Sequence, residues 1–208
     1  MTVPLTLQSL PLFPLGTVLF PGGLLPLRVF EVRYLDMIRR CLKAGAPFGV
    51  VALTQGHEVR QAGASPEAFA SVGTLAQIAD HETPQPGLML LRAAGGQRFR
   101  IQRREQLKHG LWVGDVELLP QDAPVPVPPD LQNTAQALQR VLKKLEAGDE
   151  TATASTTPQL DDCGWLSHRW CELLPLPLAL KQQLLELDNP LLRLELVGDV
   201  LVQAGISA

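Results

Sequence analysis

Residues 10–45 read LPLFPLGTVLFPGGLLPLRVFEVRYLDMIRRCLKAG, and their punctuation decides the fold. The stretch is strongly apolar, yet Pro11, Pro14, Pro21 and Pro26 divide it. Proline removes a backbone donor and fixes φ, so no long helix passes through. The pieces read as short extended segments, Leu10–Phe13, Val18–Phe20 and Leu24–Phe30, turning at Gly16 and at Pro21-Gly22-Gly23. After Phe30 the period changes. Tyr34, Met37, Ile38, Cys41 and Leu42 fall on one face of a helix. Glu31 suits its positive end and Arg39, Arg40 and Lys43 its negative end, with Gly45 as the left-handed residue that stops it. Phe48–Leu53 (FGVVAL) then reads as a buried strand.

The segment LPLFPLGTVLFPGGLLPLRVFEVRY resembles the opening of the amino-terminal, substrate-recognition domain of Lon-type ATP-dependent proteases and their small stand-alone relatives. The shared pattern is proline-punctuated apolar strands, a Pro-Gly turn, an LPL strand, and FE-x-RY opening a helix. VGTLAQI (72–78), GGQRFRI (95–101) and KQQLLELDNPLLRLELV (181–197) fit the same pattern in the same order. The resemblance implies an α+β protein, a PUA-like β pseudo-barrel followed by a small helical bundle. It also implies a module that holds polypeptide, with components of proteolysis as further candidate partners.

Length and charge narrow the field. A chain of 208 residues accommodates one generous domain or a domain with a subdomain. The division expected is a barrel over 1–120, a proline-rich linker over 121–130, and helices over 131–208. A net charge of −3 offers no general attraction to nucleic acid or anionic lipid. No basic residue precedes Arg28, so a signal peptide is not expected, and the prolines of 10–27 argue against a membrane span. A cytoplasmic protein is expected. Cys41, Cys163 and Cys171 are odd in number and widely spaced, which reads as reduced, buried thiols.

Along the rest of the chain, Gln55–Ser71 reads as a long polar loop with a helical turn at Pro66–Phe69. Val72–Asp80 and Leu88–Arg92 read as strands about a turn at Pro84, Pro86 and Gly87, and Ala93–Gly96 as a hairpin. Arg98–Gln102 alternates, which places Phe99 and Ile101 inward and the arginines outward. His109-Gly110 turns into a strand over Leu111–Leu119. These strands are expected to curl into an antiparallel barrel. Pro120–Pro129 is a stiff strap. Asp130 is expected to cap a helix striped by Leu131, Ala135, Leu138, Leu142 and Leu145, ending before Gly148. Asp149–Pro158 reads as a mobile polar tract. Asp161 or Asp162 caps the next helix, carrying Trp165, Leu166, Trp170 and Leu173, and two more follow over Leu178–Leu187 and Leu191–Val202.

The 208 residues contain no G-x-x-x-x-G-K-[ST] loop, and no room for a proteolytic module follows the helices, so neither ATPase nor protease activity is expected. Ser167 and His168 are neighbours inside a predicted helix and point different ways. Cys163, His168 and Cys171 do not converge at helical spacing, so no metal and no cofactor is expected. Arg98, Arg100, Arg103, Arg104 and Lys108 form the one basic set, without the interleaved aromatics that base stacking needs. Two alternatives to polypeptide binding remain: an enzyme acting on a small ligand between barrel and bundle, and an RNA-binding PUA-like module. The candidate peptide-binding residues are Phe20, Pro21, Gly22, Gly23, Phe30, Glu31, Arg33 and Tyr34, each with a competing role in helix start or core.

Overall fold

The computed structural model describes residues 5–56, 67–148 and 158–206. The expectation for Asp149–Pro158 falls, Pro158 apart, outside the described residues, as does most of the 55–71 loop. In chain order the elements are β1 (Thr6–Leu15), β2 (Leu24–Val29), α1 (Val32–Ala44), β3 (Phe48–Gln55), β4 (Ala68–Gln85), β5 (Leu88–Gln106) and β6 (Trp112–Leu118). They continue with α2 (Gln132–Gly148), α3 (Cys163–Leu173), α4 (Leu178–Glu186) and α5 (Pro190–Gln203). The protein is α+β. Strands β5, β4, β3, β1 and β6 neighbour one another in that order, and β6 pairs back onto β5, so five strands close a ring. β2 lies outside it, paired with β5 alone.

The ring is not wholly antiparallel, because β1 runs parallel to β3. β1 also explains how a strand tolerates two prolines. Its first part, through Leu12, pairs with β6, and its last part, from Leu12 to Leu15, pairs with β3. Pro11 and Pro14 each sit where the ladder occupies one side only, so the missing N–H costs no bond. Val18–Phe20 forms no strand but is buried all the same. No hairpin occurs at Ala93–Gly96. β5 passes straight through and changes partner there, from β2 (as far as Ala94) to β6 (from Phe99). A Cβ on Gly95 would come within 2.2 Å of the Phe20 carbonyl oxygen, so glycine is what lets the strand bend against that turn. β4 begins at Ala68, which replaces the expected helical turn with strand. It runs through Pro84, and the turn is confined to Pro86-Gly87.

α1 forms as its stripe dictates, with Tyr34, Met37, Ile38 and Cys41 buried and Gly45 at φ 61° closing the helix. It plugs one end of the barrel against Phe13, Phe48 and Met89. The strap runs along the helices and pairs with them at Pro126 and Asp162. Asp130 is not a cap: Pro129–Leu131 is a 3-10 turn whose cap position is Pro128, and Asp130 lies within it. Asp162 is the cap of α3, accepting from the Trp165 N–H at 2.8 Å. Asn189 caps α5 ahead of Pro190. Leu145 and Leu173, expected in apolar stripes, are exposed.

One apolar cluster joins the two halves. Phe20, Ala52, Val72 and Leu119 from the β region pack with Leu138, Leu166, Trp170 and Leu194 from the helices. Polar groups reinforce this joint. Arg98, expected to face outward, is only 3% exposed. It donates to the Leu185 carbonyl at 2.8 Å and the Leu187 carbonyl at 3.1 Å. The alternation holds over this stretch, with Phe99 and Ile101 on the opposite face; Arg98 is buried because the α4–α5 segment covers its side of β5.

Candidate functional site

Between β2 and the end of β1 lies a gap that no ladder crosses. Past Leu12 the pairing of β1 with β6 ceases, and β2 has a partner only on its β5 side. The result is a slot of about 350 Å³. Leu25 and Leu27 of β2 form one wall, Phe13 and Leu15 of β1 the other, and Phe30 and Tyr34 lie at the start of α1. The sequence builds it directly: Gly16 and the Pro21-Gly22 turn carry the chain from β1 across to β2 without a ladder between them. Phe30, which lines the slot, is 51% exposed, and Val32 at the start of α1 is 73% exposed.

The eight residues singled out from sequence divide. Phe30, Glu31 and Tyr34 line the slot. Tyr34, however, is 2% exposed and stacks on Phe13 with ring centroids 4.0 Å apart, so it is floor and core more than contact surface. Phe20 is fully buried beneath the helices, its ring centroid 5.6 Å from that of His168. It does not meet Phe30. Arg33 is buried as well. Its guanidinium donates to Glu31 at 3.1 Å, to Glu67 at 3.2 Å and to the Gly110 carbonyl at 2.8 Å, which ties α1 to the β5–β6 turn.

Pro21, Gly22 and Gly23 are held by α3. Arg169 donates to the Pro21 carbonyl at 2.7 Å and to the Gly22 carbonyl at 2.9 Å, and it pairs with Glu172 at 2.8 Å. A Cβ at Gly23 would lie 1.9 Å from Glu172 Oε1, so glycine makes room for that carboxylate. Burial pushes the Glu172 carboxyl up to about 7, against the pull of Arg169 and Lys181. The Pro-Gly-Gly turn is therefore a fastening between barrel and helices, and it fixes where β2 begins. Sequence reading missed this because Arg169 lies 147 residues from Gly22.

Other candidates resolve similarly. Ser167 donates to the Gly164 carbonyl and is buried. His168 is buried and kept neutral: burial, then Arg193, Arg169 and Arg98, hold its pKa well below 6.5. No three His, Cys, Asp or Glu side chains among the described residues gather as a metal site. Burial raises the Cys171 thiol to about 12, which makes it a poor nucleophile. The basic set is divided, with Arg100, Arg103, Arg104 and Lys108 exposed. Arg98 is internal, and Arg104 lies 4.5 Å from the centre of the Phe69 ring and bonds the Phe69 carbonyl.

Comparison with known proteins gives the fold its place. The family model for the ATP-dependent protease La (LON) substrate-binding domain matches residues 9–203. The chain belongs to the Lon substrate-binding domain family. A crystal structure of a Lon N-terminal domain protein from Xanthomonas campestris is 36% identical to it, with a TM-score of 0.73 over 92% of this chain and 97% of that one. The N-terminal domain of Lon protease from the Mycobacterium avium complex shares the fold, with a TM-score of 0.62 at 19% identity over the same shares of each chain. Cereblon from Danio rerio is 29% identical over 162 residues, which is 76% of this chain. The chain spans 35% of that relative's length. No described helix in this Lon substrate-binding domain is long and apolar enough to cross a membrane.

Proposed function

We propose that this member of the Lon substrate-binding domain family is a non-catalytic module that holds unfolded or extended polypeptide at the slot beside β2. The observation that carries the reading is that the slot is lined by Phe30, a half-exposed aromatic, with exposed Val32 two residues further along the chain. Large apolar groups kept in water beside an apolar cleft favour an apolar partner, and their burial supplies the driving force. The family's substrate-binding description supports a polypeptide as that partner. Two polar side chains of the slot are already committed: Glu31 is engaged by Arg33, and Tyr34 is stacked in the core.

The two alternatives have weaker support. A small-ligand enzyme would need converging polar groups between barrel and helices. There Arg98 and Arg193 are consumed by carbonyls and by Asp122. An RNA face would need exposed cations among free aromatics, and Arg104, which lies among rings, already covers Phe69.

The test is peptide binding by fluorescence anisotropy against a panel of unfolded polypeptides, with Phe30→Ala and Val32→Asp. Both variants are expected to keep the wild-type melting temperature and to lose affinity. Wild-type protein that binds none of the panel, or variants that bind as wild type does, would overturn the proposal.

A further inference from the structure

The free edge of β2 has an ordered chemistry of its own. The β2–β5 ladder starts with Gly22 N–H donating to the Gly95 carbonyl and Gly95 N–H donating to the Gly23 carbonyl, both at 2.8 Å. In an antiparallel ladder the bonding direction alternates residue by residue. Leu25, Leu27 and Val29, opposite Ala93, Leu91 and Met89, therefore spend their main-chain groups on β5. Leu24, Pro26 and Arg28 turn theirs the other way, toward the slot between β2 and β1. Proline at the middle of these three agrees with that direction, since its absent N–H would face away from the ladder. The edge thus offers carbonyls at Leu24, Pro26 and Arg28 and N–H donors at Leu24 and Arg28. No other backbone group of the described residues is bonded to them.

On the reading that this slot holds polypeptide, we infer that the bound segment is added to β2 as a further strand and is recognised by apolar side chains at every second residue. The free groups recur about every 7 Å, the two-residue repeat of a strand, and an extended chain presents partners at that spacing. The side chains of β2 alternate as well. Leu25, Leu27 and Val29 face the apolar interior, and Pro26 and Arg28 face solvent. An added strand has the same alternation, so one set of its side chains enters the slot and the other set lies beside Arg28 in water. A second copy of this chain is a poorer occupant. Two β2 edges paired about Pro26 would bring two prolines together and leave both carbonyls there without a donor.

The experiment uses the full chain and a ten-residue peptide that alternates valine and threonine between lysine ends. Its backbone amides are N-methylated one at a time. Strand addition predicts losses of roughly 2- to 12-fold at alternate positions and none between them. It also predicts slowed hydrogen exchange at the Leu24 and Arg28 amides when the parent peptide is added. Pro26→Ala, which restores a donor, is expected to tighten binding. N-methylation without a period of two, or amides at Leu24 and Arg28 that exchange unchanged, would overturn strand addition. Such a result with a Phe30→Ala loss intact would leave polypeptide binding standing, whereas no binding by any peptide would remove both.

Discussion

Arg193 on α5 donates to the Asp122 carboxylate at 2.6 Å with its guanidinium wholly removed from solvent. The same carboxylate is 3.4 Å from Arg98 of β5, which also pairs with Asp188 at 3.1 Å, so one strap residue bridges two buried cations from opposite halves of the molecule. Arg193 Nε also donates to the Leu184 carbonyl, and another of its nitrogens to the Leu187 carbonyl. Removing one partner of such a pair strands a charge in low dielectric, which costs far more than the pair contributes. Asp122→Ala is expected to lose roughly 3–5 kcal/mol in urea unfolding, with Asp122→Asn falling between it and wild type. An Ala variant within 1 kcal/mol of wild type would show that water reaches the arginines.

Acid dependence is set by two groups that work in opposite directions. Glu172 titrates near 7 in the fold against an ordinary 4.5, so raising the pH between those values weakens the folded state. His168 is held well below 6.5, so lowering the pH past 6.5 weakens it, because only the unfolded chain then takes the proton. Glu172→Gln removes the first effect and leaves the second. The stability of wild type relative to Glu172→Gln is therefore expected to be greatest, and level, below about pH 4.5 and to decline from there up to about pH 7. Thermal melts at half-unit intervals measure it, and a difference independent of pH would contradict the burial assigned to Glu172.

Phe20 and Phe30 should respond oppositely to truncation. Phe20 is fully buried among the helices, so Phe20→Ala is expected to cost roughly 3–5 kcal/mol and to melt early. Phe30→Ala gives up a half-exposed ring at roughly 1 kcal/mol or less. Differential scanning calorimetry of the two variants separates them without any peptide present.

Gly73 is expected to tolerate no side chain. An added Cβ would lie 2.4 Å from the Val50 carbonyl oxygen and 2.7 Å from the Phe99 ring, neither of which can move without disturbing the β3–β4 ladder or the barrel interior. Overpacking of this kind costs typically 1–3 kcal/mol. Gly73→Ala is predicted to reduce stability by at least that much, and a neutral result in chemical denaturation would refute it.

The elements that were legible in the sequence are those whose cause is local. Gly45 ends α1, Asp162 caps α3 and Pro190 opens α5, each through chemistry confined to a few neighbouring residues. The misreadings share a different origin. Ala93–Gly96 carries the composition of a hairpin, but its glycines accommodate the close approach of Phe20, a distant event. Arg98 alternates as an exposed strand residue, and only the folded chain brings the Leu185 and Leu187 carbonyls to it. Of the candidate site, Phe30 and Glu31 were readable because FE-x-RY opens a helix. Val32 was not, because an apolar residue at a helix start reads as core until its exposure is known. Pro26 was the available signal for a free edge, since proline in a strand marks a side without a ladder.

The reach of Arg98 across the joint bears on how the protein is made. Its shortest hydrogen bond goes to the carbonyl of Leu185, 87 residues further along the chain. At the usual ribosomal pace of 5–20 residues per second, roughly 4–17 s separate the emergence of the two. During that interval the nascent β region has Phe20, Ala52 and Val72 without their helical cover. For those seconds the apolar face that the helices later cover stands open to water, and transiently exposed surface of this kind is what makes a nascent chain prone to aggregate.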